Sequence, residues 1–261
     1  SDHIGKIPLV LISPDDRNLI IEGSETRRKF IDGIISQTDK EYLNNLIDYN
    51  KTLKQRNALL KMFYDNSENI RKTIDIYDRQ LSSDAQKIYD KIREFLNEFI
   101  PIFKSRYKEL SNDKENIEIK HSSDISPDQN LYKLLKNSFE KDLRFQYTTK
   151  GIHKDDLNLS LDNFPIKKYG SQGQQKTFLI AMKLAQFDYL SKLDSKPILL
   201  LDDIFDKLDD SRVKQIINLV NQEKFNQIFI SDTNKTRSEN IIKKVNKSYK
   251  IFEIWKKLVL Q

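Results

Sequence analysis

Cysteine is absent from the 261 residues of this chain, and glycine and proline occur only six times each. Without cysteine the chain has no disulfide framework, no thiolate metal site and no cysteine nucleophile. Its three histidines, His3, His121 and His153, are scattered and do not form a histidine-rich metal motif. The scarcity of glycine and proline indicates short loops and a high content of regular secondary structure.

Long hydrophobic runs are missing as well. The longest aliphatic run covers residues 198–201 and has the length of a strand, whereas a membrane-spanning helix needs roughly 20 apolar residues. The first residues show no basic stretch followed by an apolar one, the pattern of a secretory signal. We therefore expect a cytoplasmic protein that has no membrane as a partner.

Neither sign of charge is in strong excess. The chain has 45 basic and 39 acidic residues, which gives a formal net charge of +6. A basic balance favours polyanionic partners such as nucleic acids. Because so small an excess also occurs in proteins with other functions, charge alone leaves the partner open.

The part of the chain from about residue 24 to residue 108 has the hydrophobic spacing of helices. Apolar residues recur at intervals of three and four in three series, and Arg56 interrupts the first of them. The three series are Tyr42, Leu46, Tyr49, Leu53 and Leu60; Ile70, Ile74, Tyr77 and Leu81; and Ile88, Ile92, Phe95 and Phe99. We expect two or three antiparallel helices, which form either a simple bundle or an arm that holds a partner.

Three local signals predict where these helices begin and end. Thr38 with Glu41, and Ser83 with Gln86, have the spacing of a capping box, which predicts a helix start at each pair. Pro101 predicts an end or a kink, because proline lacks an amide hydrogen and clashes with the preceding helical turn.

The remaining segments predict a mixed region followed by an α/β layer. Residues 7–12 predict a buried strand, which the turn at residues 13–16 ends. In the mixed region the pattern predicts strands at 117–119, 144–148 and 157–161 and a helix at 131–143. In the last 95 residues it predicts strands at 198–201, 227–230 and 249–254 and helices at 178–193, 211–220 and 237–245. Such alternation of strands and helices is typical of a parallel sheet.

Two carboxylates follow the aliphatic run at residues 198–201, which we expect to be buried on both faces. Asp202 and Asp203 come where the strand leaves the sheet, and ligands of α/β sheets collect at that end of the strands. A Walker B strand places an aspartate there to hold the Mg²⁺ that bridges nucleotide phosphates. The alternative is that the two aspartates cap a turn, and the pattern alone does not separate the two.

A small-residue cluster precedes the predicted helix at 178–193. Ser171 and Gln174 have capping-box spacing, and Gly173 lies in the first turn although glycine weakens a helix. The start of a helix that has free N–H groups, a hydroxyl group and small residues is suited to bind an anion. An ordinary capped helix explains Ser171 and Gln174 but not the glycines at positions 170 and 173.

The order of the two motifs is more specific than either motif alone. A signature-type turn comes first, a helix of about 20 residues follows, and then come the acidic strand and the turn at residues 206–209. This is the order of signature, Walker B and D-loop in the second half of an ABC-type ATPase head.

Five segments in this order resemble the RecF family. They are residues 13–16, 49–61, 151–157, 171–176 and 199–203. The resemblance implies an α/β P-loop NTPase of the ABC type, in its carboxyl-terminal part, with a helical arm inserted before a partly parallel sheet flanked by helices.

The same resemblance divides the chain into four parts. Residues 1–23 are expected to hold the last strand of the nucleotide-binding lobe and a Q-loop-like turn at residues 13–16. The helical arm follows at 24–110, a mixed segment at 111–165 and the ATPase subdomain at 166–261. The cofactors that it implies are ATP and Mg²⁺.

Residue roles are carried over from the family in the same way. Asp202 is expected to hold Mg²⁺ and Asp203 to position the attacking water. The expected nucleotide contacts are Ser171, Gln172, Gly173, Gln174, Asp209 and Thr233. Of these, Asp209 is expected at the contact between two heads, and Thr233 stands near the place of the usual switch histidine.

The implied partners are those of recombinational repair and replication-gap processing. They are DNA, as junctions of single and double strands or gapped duplex, the proteins RecR and RecO, and a second copy in an ATP-dependent homodimer.

No Gly-x-x-x-x-Gly-Lys-Ser/Thr phosphate loop occurs in the chain. We therefore expect a carboxyl-terminal fragment that lacks roughly a hundred residues, does not hydrolyse ATP alone and is monomeric.

Two alternatives stay open. The competing function is a lobe that binds RecR, RecO or DNA without nucleotide. Six basic residues in or beside the arm are either DNA contacts or part of a solvated helical face. They are Arg27, Arg28, Lys29, Lys54, Arg56 and Lys61.

Overall fold

The computed structural model describes residues 6–62, 68–111, 115–126, 129–192, 196–203, 227–233 and 248–252, and positions 218, 225, 239 and 243. The strands are β1 (Leu9–Ile12), β2 (Ile117–Ser122), β3 (Asp156–Leu161), β4 (Phe164–Pro165), β5 (Ile198–Asp202) and β6 (Gln227–Ser231). The helices are α1 (Asn18–Ile21), α2 (Ser24–Thr38), α3 (Lys40–Met62), α4 (Glu68–Ser111), α5 (Leu131–Phe145), α6 (Ile166–Tyr169) and α7 (Gln172–Ser191). None of the helices described is both long and apolar enough to cross a membrane.

A parallel sheet of strand order β1-β5-β6 confirms the predicted α/β layer. Leu199 and Leu201 of β5 are buried, whereas Ile198 and Leu200 on the other face are only partly covered. The expectation of a strand buried on both faces was therefore too strong, because the second face of β5 is only partly covered. Strand β1 confirms the strand predicted at residues 7–12, but it shows the same alternation, so one of its faces is exposed.

Helix α7 lies between this sheet and α4, and it is buried on most sides as its sequence predicts. Two aromatic pairs join it to α4: the ring centroids of Phe178 and Phe103 are 4.8 Å apart, and those of Tyr189 and Phe95 are 4.9 Å apart. These residues belong to one hydrophobic core that also includes the buried face of the parallel sheet.

The arm consists of α2, α3 and the 44-residue helix α4. The helix start predicted at Ser83 is wrong, since α4 runs through it. At Pro101, where an end or a kink was predicted, α4 does not end. Phe99 and Phe103 on either side of Pro101 are fully buried, so packing outweighs the hydrogen bond that proline removes. The predicted start at Thr38 is one residue early, because the Asp39 carboxylate accepts the Tyr42 backbone N–H at 2.8 Å.

A second, antiparallel sheet of order β2-β3-β4 lies in the mixed segment. It confirms the strands predicted at 117–119 and 157–161, and α5 confirms the predicted helix. The strand predicted at 144–148 is wrong, since α5 continues to Phe145 and Gln146 ends it with a left-handed φ of 60°. The hairpin from β3 to β4 was missed; Asp162 and Asn163 turn it with positive φ values of 48° and 68°.

The carboxyl-terminal predictions are only partly covered by the described residues. Strand β6 confirms the strand predicted at 227–230. Residues 249–252 are not in a strand, contrary to prediction. The helices predicted at 211–220 and 237–245 and the turn at 206–209 lie almost entirely outside the described residues.

Candidate functional site

The carboxyl ends of β5 and β6 bring the predicted acidic residues to one edge of the parallel sheet. The register pairs Asp202 with Ser231, and the Ser231 hydroxyl donates a hydrogen bond to Oδ1 of Asp202. Asp202 is exposed, so its carboxylate faces solvent beyond the sheet. Mg²⁺ is commonly held by one or two carboxylates together with water and substrate phosphates, and this exposed carboxylate fits such a site.

Asp203 reverses the chain directly after the strand. Its φ is 46°, in the left-handed region that aspartate tolerates better than most residues. Its backbone N–H donates to the Ser231 carbonyl at 3.1 Å, which fixes the turn against β6. An unfavourable backbone conformation that is held in place by neighbours is often found at functional sites.

The hydroxyl next to Asp202 belongs to Ser231 and not to Thr233, the residue that the sequence suggested. Thr233 is exposed and lies two residues beyond the end of β6, at the same edge of the sheet. Only the pairing of parallel strands reveals Ser231, because it puts this residue level with Asp202. The fourth candidate of this region, Asp209, lies outside the described residues.

The signature-type cluster forms the amino end of α7 as a complete capping box. The Ser171 hydroxyl accepts the Gln174 backbone N–H at 3.2 Å, and Oε1 of Gln174 accepts the Ser171 N–H at 2.7 Å. Ser171 and Gln172 are exposed, and Gly173 is half-buried. The first turn of a 20-residue helix is therefore open to solvent, where its amide groups and dipole favour an anion.

The Gln174 side chain is held from a second direction by a residue that the sequence did not single out. Its Nε2 donates to Oε1 of Glu115 at 2.8 Å, and the Tyr107 hydroxyl donates to Oε2 of the same carboxylate. Glu115 thereby joins the end of α4 to the start of α7. No sequence pattern could have revealed it, since 59 positions separate Glu115 from Gln174.

The glycine before the capping box has a packing role. A Cβ added to Gly170 would lie 2.8 Å from the Ile166 carbonyl oxygen and also 2.8 Å from an Ile166 side-chain carbon. The Gln175 side chain closes the same turn, because its Nε2 donates to the carbonyls of Ile166 and Gly170 at 3.2 Å and 3.0 Å. Gly170 thus permits the close turn that presents Ser171.

The turn at residues 13–16 contacts the helix that follows the signature. Asp16 forms an ion pair with Lys183 of α7 at 3.3 Å, and both side chains are largely buried. The second carboxylate oxygen of Asp16 accepts the Ser13 backbone N–H at 2.8 Å. This segment, predicted to resemble a Q-loop, therefore lies on α7 as a short 3-10 helix.

The structure places the two motifs on different elements with different neighbours. The signature residues open α7 and contact Glu115, whereas the carboxylates close β5 and contact Ser231. The two motifs are separated along the chain by the whole of α7, roughly 30 Å of helix at 1.5 Å per residue. Within the described part of the chain, no group of three or more acidic or histidine side chains is arranged to hold a metal ion.

Two of the six basic arm residues form interior ion pairs, so for these two both predicted alternatives, a DNA contact and a solvated helical face, are wrong. Arg27 donates twice to Asp156, at 2.6 Å and 3.0 Å. Arg56 is fully buried and donates to Asp78 at 2.6 Å and to Asp142 at 2.8 Å. These two arginines are inaccessible to DNA.

The other four basic residues lie nearer the surface. Arg28 donates to the backbone carbonyl of Asp155 at 2.6 Å, and exposed Lys29 pairs with Glu25. Lys54 and Lys61 are exposed on α3.

Comparison with curated proteins finds close relatives over nearly the whole chain. It is 52% identical over 255 residues to a Flavobacterium johnsoniae protein named DNA replication and repair protein RecF. It is 49% identical over 256 residues to the protein of the same name from Phocaeicola vulgatus. Both matches cover 97% of this chain, and they cover 71% and 68% of the two relatives. No family model matches the chain.

Two solved structures of the recombination mediator protein RecF in the RecFOR pathway, described as RecF-ATPrS and RecF-ATP, are similar in fold. Each gives a TM-score of 0.78, at 29% and 30% sequence identity. Each match covers 89% of this chain and 64% of the solved chain, so this chain spans slightly less than two thirds of those proteins. The similarity confirms the predicted fold class, an ABC-type ATPase head with a helical arm.

Proposed function

This chain belongs to the RecF family of DNA replication and repair proteins, and we propose that it supplies the signature and Walker B parts of an ATP site in a DNA-binding repair protein. One observation carries the proposal. An exposed carboxylate closes a parallel strand, and the helix before that strand begins with an open, fully capped first turn. The first feature suits a metal-bound phosphate and the second an anion.

At the Walker B edge, Asp202 is the ligand for Mg²⁺, and the Ser231 hydroxyl fixes its orientation. Mg²⁺ held there would supply the positive charge that offsets the charge developing during phosphoryl transfer. Asp203 orients the attacking water from the turn that directly follows the strand. Thr233 lies at the same edge and would contact a terminal phosphate through its hydroxyl.

At the signature edge, the amide groups of α7 and the Ser171 hydroxyl bind the terminal phosphate of a nucleotide held by a second subunit. Gly173 allows the phosphate to approach the first turn without a Cβ in the way. Gln172 and Gln174 line the same turn, and Glu115 keeps Gln174 in its capping position. Asp209 lies at the contact between the two heads. Each ATP is therefore shared by two subunits of a homodimer.

The division of the chain follows from these roles. Residues 1–23 end the nucleotide-binding lobe, 24–110 form the arm, 111–165 lead back to the head, and 166–261 form the ATPase subdomain. The whole protein acts on gapped DNA or on junctions of single and double strands, together with RecR and RecO. Because no phosphate loop occurs in this sequence, the chain by itself does not hydrolyse ATP.

The test is ATP hydrolysis after mixing. This chain is combined with the separately produced amino-terminal lobe of a RecF protein, and phosphate release is measured with Mg²⁺ present. Turnover that appears only in the mixture, and is lost in Asp203→Asn and in Ser171→Arg, is the expected result. Turnover by this chain alone that depends on Asp202 would refute the proposed split of the site.

The second candidate is a lobe that binds RecR, RecO or DNA without nucleotide. The same mixture separates the two functions. If both pieces are folded and associated but release no phosphate, while DNA still binds, the nucleotide-independent function is supported.

A further inference from the structure

Two large aromatic side chains are exposed side by side where α5 ends. Phe145 and Tyr147 keep 46% and 43% of their surface accessible. Their rings stack with centroids 5.9 Å apart and planes inclined by 29°. Single exposed aromatic residues are ordinary, but two that contact each other on the surface form a larger apolar patch.

Three cations surround this pair. The Arg144 guanidinium lies 5.4 Å and the Lys141 ammonium 6.0 Å from the centroid of Phe145, and Lys154 lies 5.0 Å from that of Tyr147. All three side chains are exposed. Cation–π contacts at exposed sites are weak, so a planar ligand can replace a cation on the ring while that cation moves to a negative group.

Hydrogen bonds to α3 and α5 hold the backbone that carries the two rings. Thr148 donates through both its N–H and its hydroxyl to the Asn57 side chain, at 2.8 Å and 2.7 Å. Thr149 donates in the same two ways to Asp142, at 2.9 Å and 2.6 Å, and Asp142 itself is held by buried Arg56. A ligand that stacks on this surface therefore loses little free energy to ordering the loop.

We propose that Phe145 and Tyr147, with Lys141, Arg144 and Lys154, form a stacking platform for single-stranded DNA. Unpaired bases present flat faces that stack on aromatic rings, and their phosphates pair with surrounding cations. Duplex DNA keeps its base faces inside the double helix, so only its charged phosphates can interact with this surface. The platform rests on the proposed function in one respect, because both require that the protein binds DNA.

The experiment compares a dye-labelled oligothymidylate with a duplex of the same length by fluorescence anisotropy, on the full chain. Stacking of one base is worth roughly 1–3 kcal/mol, and tenfold in affinity corresponds to 1.4 kcal/mol. Phe145→Ala and Tyr147→Ala should therefore each weaken binding of the oligothymidylate by roughly 5- to 150-fold. Tyr147→Phe and Phe145→Tyr keep the rings and should stay within about threefold of the parent.

The matched control is Phe164→Ala. Phe164 is also an exposed aromatic residue, with 56% of its surface accessible, and it contacts the Tyr169 ring. It should leave affinity for the oligothymidylate unchanged, and a loss equal to that of Phe145→Ala would overturn the inference. Thermal unfolding of each variant verifies that these surface changes leave the fold intact.

The remaining outcomes separate this inference from the proposed function. If the parent binds duplex but not oligothymidylate, or if the alanine variants bind both as the parent does, the platform is refuted and DNA binding stands. If an acidic peptide binds at Phe145 and Tyr147 and the oligothymidylate does not, the platform is a protein contact and the inference fails. If neither DNA binds, the DNA-binding part of the proposed function fails with it.

Discussion

Replacing Arg56 by alanine should destabilise the protein severely. A basic residue on a polar helix normally lies at the surface, but Arg56 lies in the interior. The guanidinium is 0% exposed. Its Nε donates to Asp78 at 2.6 Å, and its Nη1 donates to Asp142 and to the Thr148 hydroxyl, both at 2.8 Å. Burial raises the pKa of Asp78, and the charge of Arg56 opposes that shift.

The magnitude follows from what the substitution leaves behind. Arg56→Ala buries two carboxylates without their cation, and breaking a buried pair in this way costs roughly 3–5 kcal/mol. A domain is stable by only about 5–15 kcal/mol. At about 2–4 °C for each kcal/mol in a protein of this size, the melting temperature should fall by roughly 6–20 °C.

Urea unfolding followed by circular dichroism measures the loss. The matched control is Lys54→Ala, an exposed residue two positions earlier on the same helix, which should change stability by no more than about 0.5 kcal/mol. Arg56→Lys keeps the charge without the planar fork and should fall between the two. A loss below about 1 kcal/mol for Arg56→Ala would mean that the three charged groups do not stabilise the arm as described.

Three further predictions concern other parts of the structure. Gly151 has a φ of 132°, and a Cβ there would lie 2.6 Å from the Tyr49 hydroxyl, so Gly151→Ala should cost about 1–3 kcal/mol in urea unfolding; an unchanged midpoint would contradict this. Burial lowers the pKa of His153 to about 4, below its unfolded value of about 6.5, so the unfolded state binds more protons between these values. Stability should therefore fall as pH drops through this window, by up to roughly 3 kcal/mol; His153→Gln should be less sensitive to pH, and equal slopes for both proteins would count against the assignment. Arg106 donates to both carboxylate oxygens of Asp188, through Nη2 at 3.0 Å and through Nε. Arg106→Lys should therefore lower the free energy of unfolding by about 1.5–3 kcal/mol. A melting temperature equal to that of the parent would show that this ion pair does not stabilise the protein.

Local patterns predicted the elements that depend on interactions between residues close together in the sequence. The capping box joins Ser171 and Gln174, which are only three positions apart, and both of its hydrogen bonds occur as predicted. The aliphatic run before Asp202 predicted β5, because a strand in a parallel sheet is apolar over its whole length. The parallel sheet followed from the alternation of strands and helices.

The failures arise where distant contacts outweigh local preference. Pro101 did not end α4, because the aromatic residues around it are buried in the core. Arg56 was a candidate DNA contact, and only the fold shows that Asp78 and Asp142 meet it inside the arm. Glu115 and Ser231 join the candidate site through partners that lie far away in the sequence, so no spacing rule could have found them.

The central claim is that signature and Walker B act in different subunits of one ATP site, and mixing two inactive variants tests it most directly. Asp203→Asn and Ser171→Arg chains are each combined with the amino-terminal lobe of a RecF protein, and ATP hydrolysis is measured separately and together. Random pairing makes about half of the dimers mixed, each with one intact site of two, so about a quarter of the parent activity should return. Separate samples that stay inactive and a mixture that regains activity would support the claim. A mixture as inactive as its components, with dimers present, would contradict it.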